Sequence, residues 1–452
     1  MAEPSELAGV GESALDRAHG LHLAGDAEAA LKLCASILTA TPELIGAAAL
    51  LGRLMLDAGQ RQLAQALGER SVDGFIRRGD LPAARVAAAL VQDAGGDGTA
   101  ACQQIARAFG SDSLRPGEAA SIMPPPLSAA AAAKAAAPFF AELAGEALLE
   151  ATRKTAERFL ASEDPVSATR ALPRLPLFGE LAAPSLAALL GLMRLEERAA
   201  GAAVLREGER GDNAWVLVRG VLNVVRAQGQ APSLGSRLLA ALGPGAIFGE
   251  MALVSRAPRA ASVVAVEPVQ LLAMPRAELE RLAASDASIG NELGRFCQAR
   301  MISNLIHHGA ILRELDSEAR GAVMERFGSR RFETGQALVR QGDEPAGLYL
   351  VASGGVQVRS RDADGERLVL AELGPGEVVG EISLVLRRPA NADVVALHPT
   401  VVLELTAEDF REVIREHPAL LKELYEIAVA RDEETRSVVA QQALDASDVV
   451  LV

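Results

Sequence analysis

Residues 242–254 read LGPGAIFGEMALV, and residues 373–385 read LGPGEVVGEISLV. The second stretch returns the first at an offset of 131. Upstream, Leu181, Gly201, Gly208 and Gly220 recur as Leu315, Gly335, Gly342 and Gly354 at an offset of 134, so three residues have dropped out between the two anchor points. Self-similarity at a fixed offset is the signature of a duplicated unit. Two copies of one domain, each about 130 residues and so within the usual domain range, therefore fill the second half of the chain. Within each copy a helix of about a dozen residues precedes short β-branched stretches: AVLREGERGDNAWVLVRGVLNVVRA from 203 and ALVRQGDEPAGLYLVASGGVQVRSR from 337. Glycines ending such stretches predict an antiparallel β-roll of the jelly-roll type. One amphipathic helix is expected to close each copy, at 276–306 and at 406–432.

Working outward toward the N-terminus, residues 12–44 read as two short amphipathic helices broken at Gly25-Asp26 and stopped before Pro42. Ala18 and Ala30 are small where two helices would approach, with Leu21, Cys34 and Ile37 around them. Leu51, Gly52, Met55, Gly59 and Ala64 repeat that arrangement. The step from the Gly25 break to the Gly59 break resembles the period of a tetratricopeptide repeat, about 34 residues. A third break at Gly79-Asp80 falls well short of another such period, so the segment is tetratricopeptide-like rather than a regular array. A generic helical bundle is the other reading. Stacked hairpins leave a surface suited to holding another protein. Residues 111–137, rich in Ser, Pro and Ala, read as a linker, semi-rigid around Pro124-Pro125-Pro126, and a helix is expected at 138–162.

The expected fold class is thus α+β and multidomain: helical hairpins at 1–110, linker and connecting helix at 111–172, a first roll domain at 173–305, a second at 306–435, and a C-terminal tail at 436–452.

Composition narrows the function. The 452 residues are 50% hydrophobic but only 3% aromatic, an alanine-rich balance that favours helix. No apolar run approaches the roughly 20 residues that span a bilayer, and the N-terminus lacks the basic and apolar regions of a signal peptide, so a soluble cytoplasmic protein is expected. The net charge of −14 opposes attraction to nucleic acid or anionic membrane. Cys34, Cys102 and Cys297 sit far apart in apolar patterns and read as buried reduced thiols. No nucleophile elbow, P-loop, HExxH or kinase motif is present, so no enzyme is expected, and no metal or cofactor. The excess of Ala, Arg and Val over Lys and Asn points to a GC-rich bacterial source.

The chemistry lies in Phe248-Gly249-Glu250-Met251-Ala252-Leu253 and Pro258-Arg259-Ala260-Ala261-Ser262-Val263. A cyclic phosphodiester carries one delocalised negative charge, which free backbone N–H groups of a short turn and an arginine satisfy with directional hydrogen bonds. Its ribose 2′-hydroxyl needs an acceptor. Gly249 permits close backbone approach, Glu250 would accept the hydroxyl, Arg259 would pair the phosphate, and Ser262 could add a contact, all from one short segment. This pattern closely resembles the phosphate-binding cassette of the cyclic-nucleotide-binding family, which includes the regulatory subunit of cyclic-AMP-dependent protein kinase and the catabolite activator proteins. The resemblance covers about residues 175–435. It implies a ligand-binding set of Phe248, Gly249, Glu250, Met251, Ala252, Arg259, Ala260 and Ser262. An alanine directly after the arginine goes with cAMP in that family and a threonine with cGMP, so Ala260 points to cAMP. The resemblance also implies that the helix after the first roll is a lid whose position depends on ligand.

The second copy departs where it matters. Gly380 and Glu381 remain, but Ala390 stands at the arginine position, and Asn391-Ala392-Asp393 replaces Ala260-Ala261-Ser262. Losing one ion-assisted contact costs about 1.5–3 kcal/mol. Asp393 would add negative charge beside an anion. The second site is therefore degenerate, with Arg387 and Arg388 either substitutes or solvated loop residues. A docking role follows, a homodimer among the arrangements open to it. The expected function is a non-enzymatic sensor that binds cAMP, or cGMP, at the first roll and relays it to a protein partner of the helical repeats. The alternatives are a nucleotide-independent scaffold and a cyclic dinucleotide effector. A transcription factor would need a DNA-binding helix pair after the second roll, and residues 433–452 are too short and acidic for one.

Overall fold

The computed structural model describes residues 14–42, 44–113, 138–162, 177–227, 236–251, 258–308, 315, 317–361, 367–422 and 424–433. Ala252, most of the linker and the tail at 436–452 lie outside them. The chain forms two compact units. The first holds Met1–Glu207, Asp212–Glu250 and Ala261–Phe296; the second holds Gly208–Gly211, Met251–Ala260 and Cys297–Val452.

Six described helices open the first unit: α1 (Ala14–Leu23), α2 (Ala27–Ala40), α3 (Ile45–Asp57), α4 (Arg61–Arg78), α5 (Leu81–Asp93) and α6 (Gly98–Phe109). A recurrent step punctuates them. A glycine in the left-handed region lets α4 end at Gly79, with φ of 80°, and the next residue, Asp80, accepts from the Ala83 N–H at 3.0 Å to start α5. Asp26 and Asp97 start α2 and α6 in the same way. Each helix packs on the next, and the small residues stand where they approach. A Cβ added to Gly52 would lie 2.6 Å from Leu90 Cδ2, and Ala18 and Ala30 are fully buried. Helical hairpins at the expected breaks are what the structure shows. The connecting region differs from expectation in being two helices, α7 (Pro138–Ala141) and α8 (Gly145–Ala161), because the chain turns at Gly145 with φ of 52°.

Sixteen strands follow among the described residues. The first roll comprises β1 (Arg194–Arg198), β2 (Ala203–Leu205), β3 (Asn213–Arg219), β4 (Leu222–Ala227), β5 (Ser236–Leu242), β6 (Ile247–Phe248), β7 (Ser262–Ala265) and β8 (Val269–Pro275). The second comprises β9 (Gly328–Phe332), β10 (Ala337–Val339), β11 (Gly347–Ser353), β12 (Val356–Arg361), β13 (Arg367–Leu373), β14 (Val378–Val379), β15 (Asp393–Ala396) and β16 (Thr400–Thr406). The sheet orders are β1-β8-β3-β6 and β2-β7-β4-β5 in one, β9-β16-β11-β14 and β10-β15-β12-β13 in the other. Every described pairing is antiparallel. The duplication read from the sequence is thus realised strand for strand. Helix α9 (Ala183–Leu192) precedes the first roll and α12 (Ser317–Glu325) the second.

The closing helix expected after each roll is broken in two. The first is α10 (Arg276–Ser285) and α11 (Ala287–His308), with extended Asp286 between them. After α13 (Glu381–Leu386), the second roll closes with α14 (Ala407–Glu416) and the helical stretch α15 (418–422 and 424–433), with His417 between. Asp286 and His417 stand at the same offset of 131 as the two cassettes, so the repeat extends through the breaks.

The helices and the first roll are locked together inside the first unit. Arg85 on α5 is buried and donates to the carbonyls of Leu190 (2.6 Å) and Met193 (2.5 Å), the C-terminal turn of α9. A cation there complements the helix dipole. On α1, Asp16 pairs with Arg219 of β3, and the buried His19 lies beside them. Burial, then the adjacent Arg219 and His22, hold His19 well below its ordinary 6.5. The unfolded chain takes up a proton below that value while the folded chain does not, so stability falls as pH drops through 6.5, by about 1.4 kcal/mol per unit at most. Urea melts between pH 7.5 and 5 are expected to show a slope that His19→Gln reduces; an unaltered slope would assign it to other groups. All three cysteines are buried and none forms a disulfide, and burial pushes the Cys34 thiol up to about 12, which leaves it protonated at neutral pH.

Among the described residues no helix is long and apolar enough to cross a membrane, and no cluster of His, Cys, Asp and Glu could hold a metal ion.

Candidate functional site

Phe248, Gly249, Glu250 and Ser262 belong to the first unit, and Met251, Arg259 and Ala260 to the second. In the first unit, β6 pairs with β3 so that Phe248 lies opposite Trp215, their rings stacked with centroids 5.6 Å apart. Gly249 follows with φ of 73°, a left-handed turn that a side chain would strain. Glu250 is next, only 4% exposed, its carboxylate withdrawn from bulk water. Ser262 starts β7 and its hydroxyl accepts from the Glu207 N–H at 2.9 Å, which leaves its own proton for a second acceptor.

In the second unit, Arg259 is 8% exposed. Its N–H donates to the Glu209 carbonyl and its carbonyl accepts from the Gly208 N–H, both at 2.9 Å. Its guanidinium lies against Gly211, where an added Cβ would fall 2.1 Å from Cζ and 2.2 Å from Nε. Only a glycine leaves that space. Ala260 is exposed beside it, and Met251 packs on the apolar cluster that contains Leu315, Val323 and Leu348.

The same backbone contacts recur in the second copy. Gly342 N–H donates to the Ala390 carbonyl (2.8 Å) and Ala390 N–H to the Asp343 carbonyl (2.9 Å), so Ala390 occupies the place of Arg259 without its charge. Asp393 accepts from the Gln341 N–H at 2.8 Å, the role that Ser262 fills toward Glu207. Gly380 keeps a left-handed φ of 89°.

The cyclic nucleotide-binding domain family model matches residues 195–286 and 329–417, one stretch in each roll. The chain carries tandem cyclic nucleotide-binding domains. They are similar to those of the cAMP-dependent protein kinase type II regulatory subunit of Drosophila melanogaster, 30% identical over 200 residues that cover 44% of this chain and 48% of that protein. The cAMP-dependent protein kinase regulatory subunit of Dictyostelium discoideum is 29% identical over 218 residues, 47% of this chain and 63% of that one. The chain thus spans between about half and just under two thirds of these relatives. Both are eukaryotic and neither supports a bacterial source. Among solved structures, the regulatory domain of Toxoplasma gondii PKA with cAMP is 24% identical, covering 56% of this chain and 92% of that one at a TM-score of 0.28. The Thermus thermophilus catabolite activator protein is 32% identical over 29% of this chain and 62% of that one, at 0.27.

In the second nucleotide-binding domain the cassette carboxylate is spoken for. Glu381, 2% exposed, accepts from Arg431 Nη1 at 3.0 Å, and the same nitrogen donates to the Val378 carbonyl at 2.6 Å. Burial pushes the Glu381 carboxyl up from its ordinary value, with the Arg431 guanidinium pulling the other way. Arg388 pairs with the Asp432 carboxylate. Arg387 caps α13 in the left-handed region, φ 52°. Gly211, Arg431 and Asp432 escaped the sequence reading. Gly211 carries no motif of its own, whereas Asp432 falls, at the offset of 131, opposite the neutral Met301. That new charge is a signal a sequence alone could yield.

Gly211→Ala is expected to push the Arg259 head group aside while sparing the fold, because the obstructing atoms end a flexible side chain. A roughly tenfold loss of affinity for a cyclic nucleotide by calorimetry, the scale of one weakened charge-assisted bond, with an unchanged melting temperature would bear this out.

Proposed function

We propose that the chain is a non-enzymatic cyclic-nucleotide sensor that takes cAMP at its first nucleotide-binding domain and passes the occupancy to a protein partner. The domains run from 173 to 305 and from 306 to 435. The helical hairpins at 1–110, read as tetratricopeptide-like, hold the partner. The observation that carries the reading is the buried Arg259, braced by Gly208 and Glu209 and given room by Gly211. A guanidinium held in this place can pair a cyclic phosphate with both charge and directional hydrogen bonds.

Glu250 accepts the ribose hydroxyl, Gly249 and Met251 offer backbone to the phosphate, and Ser262 lends a hydroxyl; Phe248, Ala252 and Ala260 shape the wall. Ala260 favours cAMP over cGMP. Ligand moves the α10–α11 helices because it binds one of their arrangements better than the other. The names of the relatives make a protein kinase the first partner to test. Isothermal calorimetry with cAMP, cGMP and a cyclic dinucleotide on the full chain decides the reading: a single cAMP site supports it. No heat and no thermal shift with any of the three would leave a nucleotide-independent scaffold, and a response to the dinucleotide alone a cyclic dinucleotide effector.

A further inference from the structure

In the second nucleotide-binding domain three substitutions converge. Relative to the first copy at the offset of 131, Arg259 has become Ala390, Ala257 has become Arg388 and Ala260 has become Asn391. The cation has moved two positions along the loop, and an amide donor has joined it. The group these donors meet comes from the same chain. Arg388 is paired with the Asp432 carboxylate, and Asn391 Nδ2 lies 3.4 Å from the same oxygen. The adjacent residue, Arg431, reaches Glu381 and the Val378 carbonyl and lies 3.5 Å from Glu377. Asp432 stands where the first copy has Met301, so the acid is peculiar to the copy that lost its cassette arginine.

We propose that Arg431-Asp432 is an intramolecular ligand of the second nucleotide-binding domain, its guanidinium meeting the cassette carboxylate Glu381 and its carboxylate meeting Arg388 and Asn391. The dipeptide reproduces the two demands of a sugar phosphate, a donor for the carboxylate and an anion for the loop donors. Asp432 is 7% exposed and Glu381 2%, so a second anion or hydroxyl has to displace α15 before it can enter. The domain is therefore sealed in the absence of nucleotide, and its last helix is held down by charge. This goes beyond the sensor reading and does not depend on whether the first domain binds cAMP.

Hydrogen–deuterium exchange on the full chain tests it. Arg388→Asp and Asp432→Arg are each expected to speed exchange of amides 424–433 roughly tenfold or more, the scale of one charge-assisted bond, and the double variant to restore protection. Single variants that exchange like the parent, or a double variant as open as the singles, would overturn it. On the unaltered chain, saturating cAMP is expected to leave 424–433 unchanged; new protection there would equally overturn it. Loss of a cAMP thermal shift, by contrast, would sink only the sensor reading.

Discussion

Arg259→Glu is expected to abolish the cAMP-induced rise in melting temperature. A ligand at a hundred times its dissociation constant stabilises the folded chain by about 2.7 kcal/mol. Removing a hydrogen bond to a charged group costs about 1.5–3 kcal/mol, and reversing the charge adds repulsion against the phosphate, so affinity should drop at least about a hundredfold. At the same ligand concentration the stabilisation then falls to about 0.4 kcal/mol or less, and the shift all but vanishes. Arg259→Lys keeps the charge but gives up the planar fork and is expected to fall between the two. Differential scanning fluorimetry with and without cAMP reads all three proteins. A charge-reversed variant that still shifts like the parent removes Arg259 from the site and with it the proposed function.

Arg85→Met is expected to be the most damaging single change in the first unit, at about 3 kcal/mol. The guanidinium is 4% exposed and feeds two carbonyls at the end of α9. Without it the Met193 N–H still reaches the Leu190 carbonyl at 3.2 Å, while Met193's own carbonyl loses the Arg85 donor. Arg85→Lys can serve one carbonyl rather than both and should cost about half as much. Urea unfolding followed by Trp215, the single tryptophan, reports on this unit. A midpoint that does not move would mean that water replaces the guanidinium without loss.

Much of the architecture was legible because its cues are local. Glycines that end strands, an aspartate after a glycine that starts the next helix, and an offset kept across a whole domain each act within a few positions or by plain repetition. Breaks inside helices were harder to see. Asp286 and His417 interrupt otherwise continuous apolar patterns, and nothing in the period marks them. The cassette was readable as residue types, since Gly249, Glu250 and Arg259 have a spacing of their own, yet Gly211 was not, because its value lies in empty space beside a side chain from a distant part of the sequence. Arg85, His19 and the Arg431-Asp432 pair were hidden for a similar reason. Their partners are remote along the chain, and a buried charge looks on paper like a solvated one.

Two rolls with the same strand order in one chain also carry a hazard during folding. A strand such as β6 can satisfy the backbone of its counterpart's neighbours in the other copy as well as its own, and non-local pairing is slow enough for such exchanges to occur. Side chains then decide which partner is kept: Trp215 stacks on Phe248 in one copy, while Tyr349 faces Val379 in the other. Divergence at those paired positions works as an address label, returning each strand to the half of the chain from which it came.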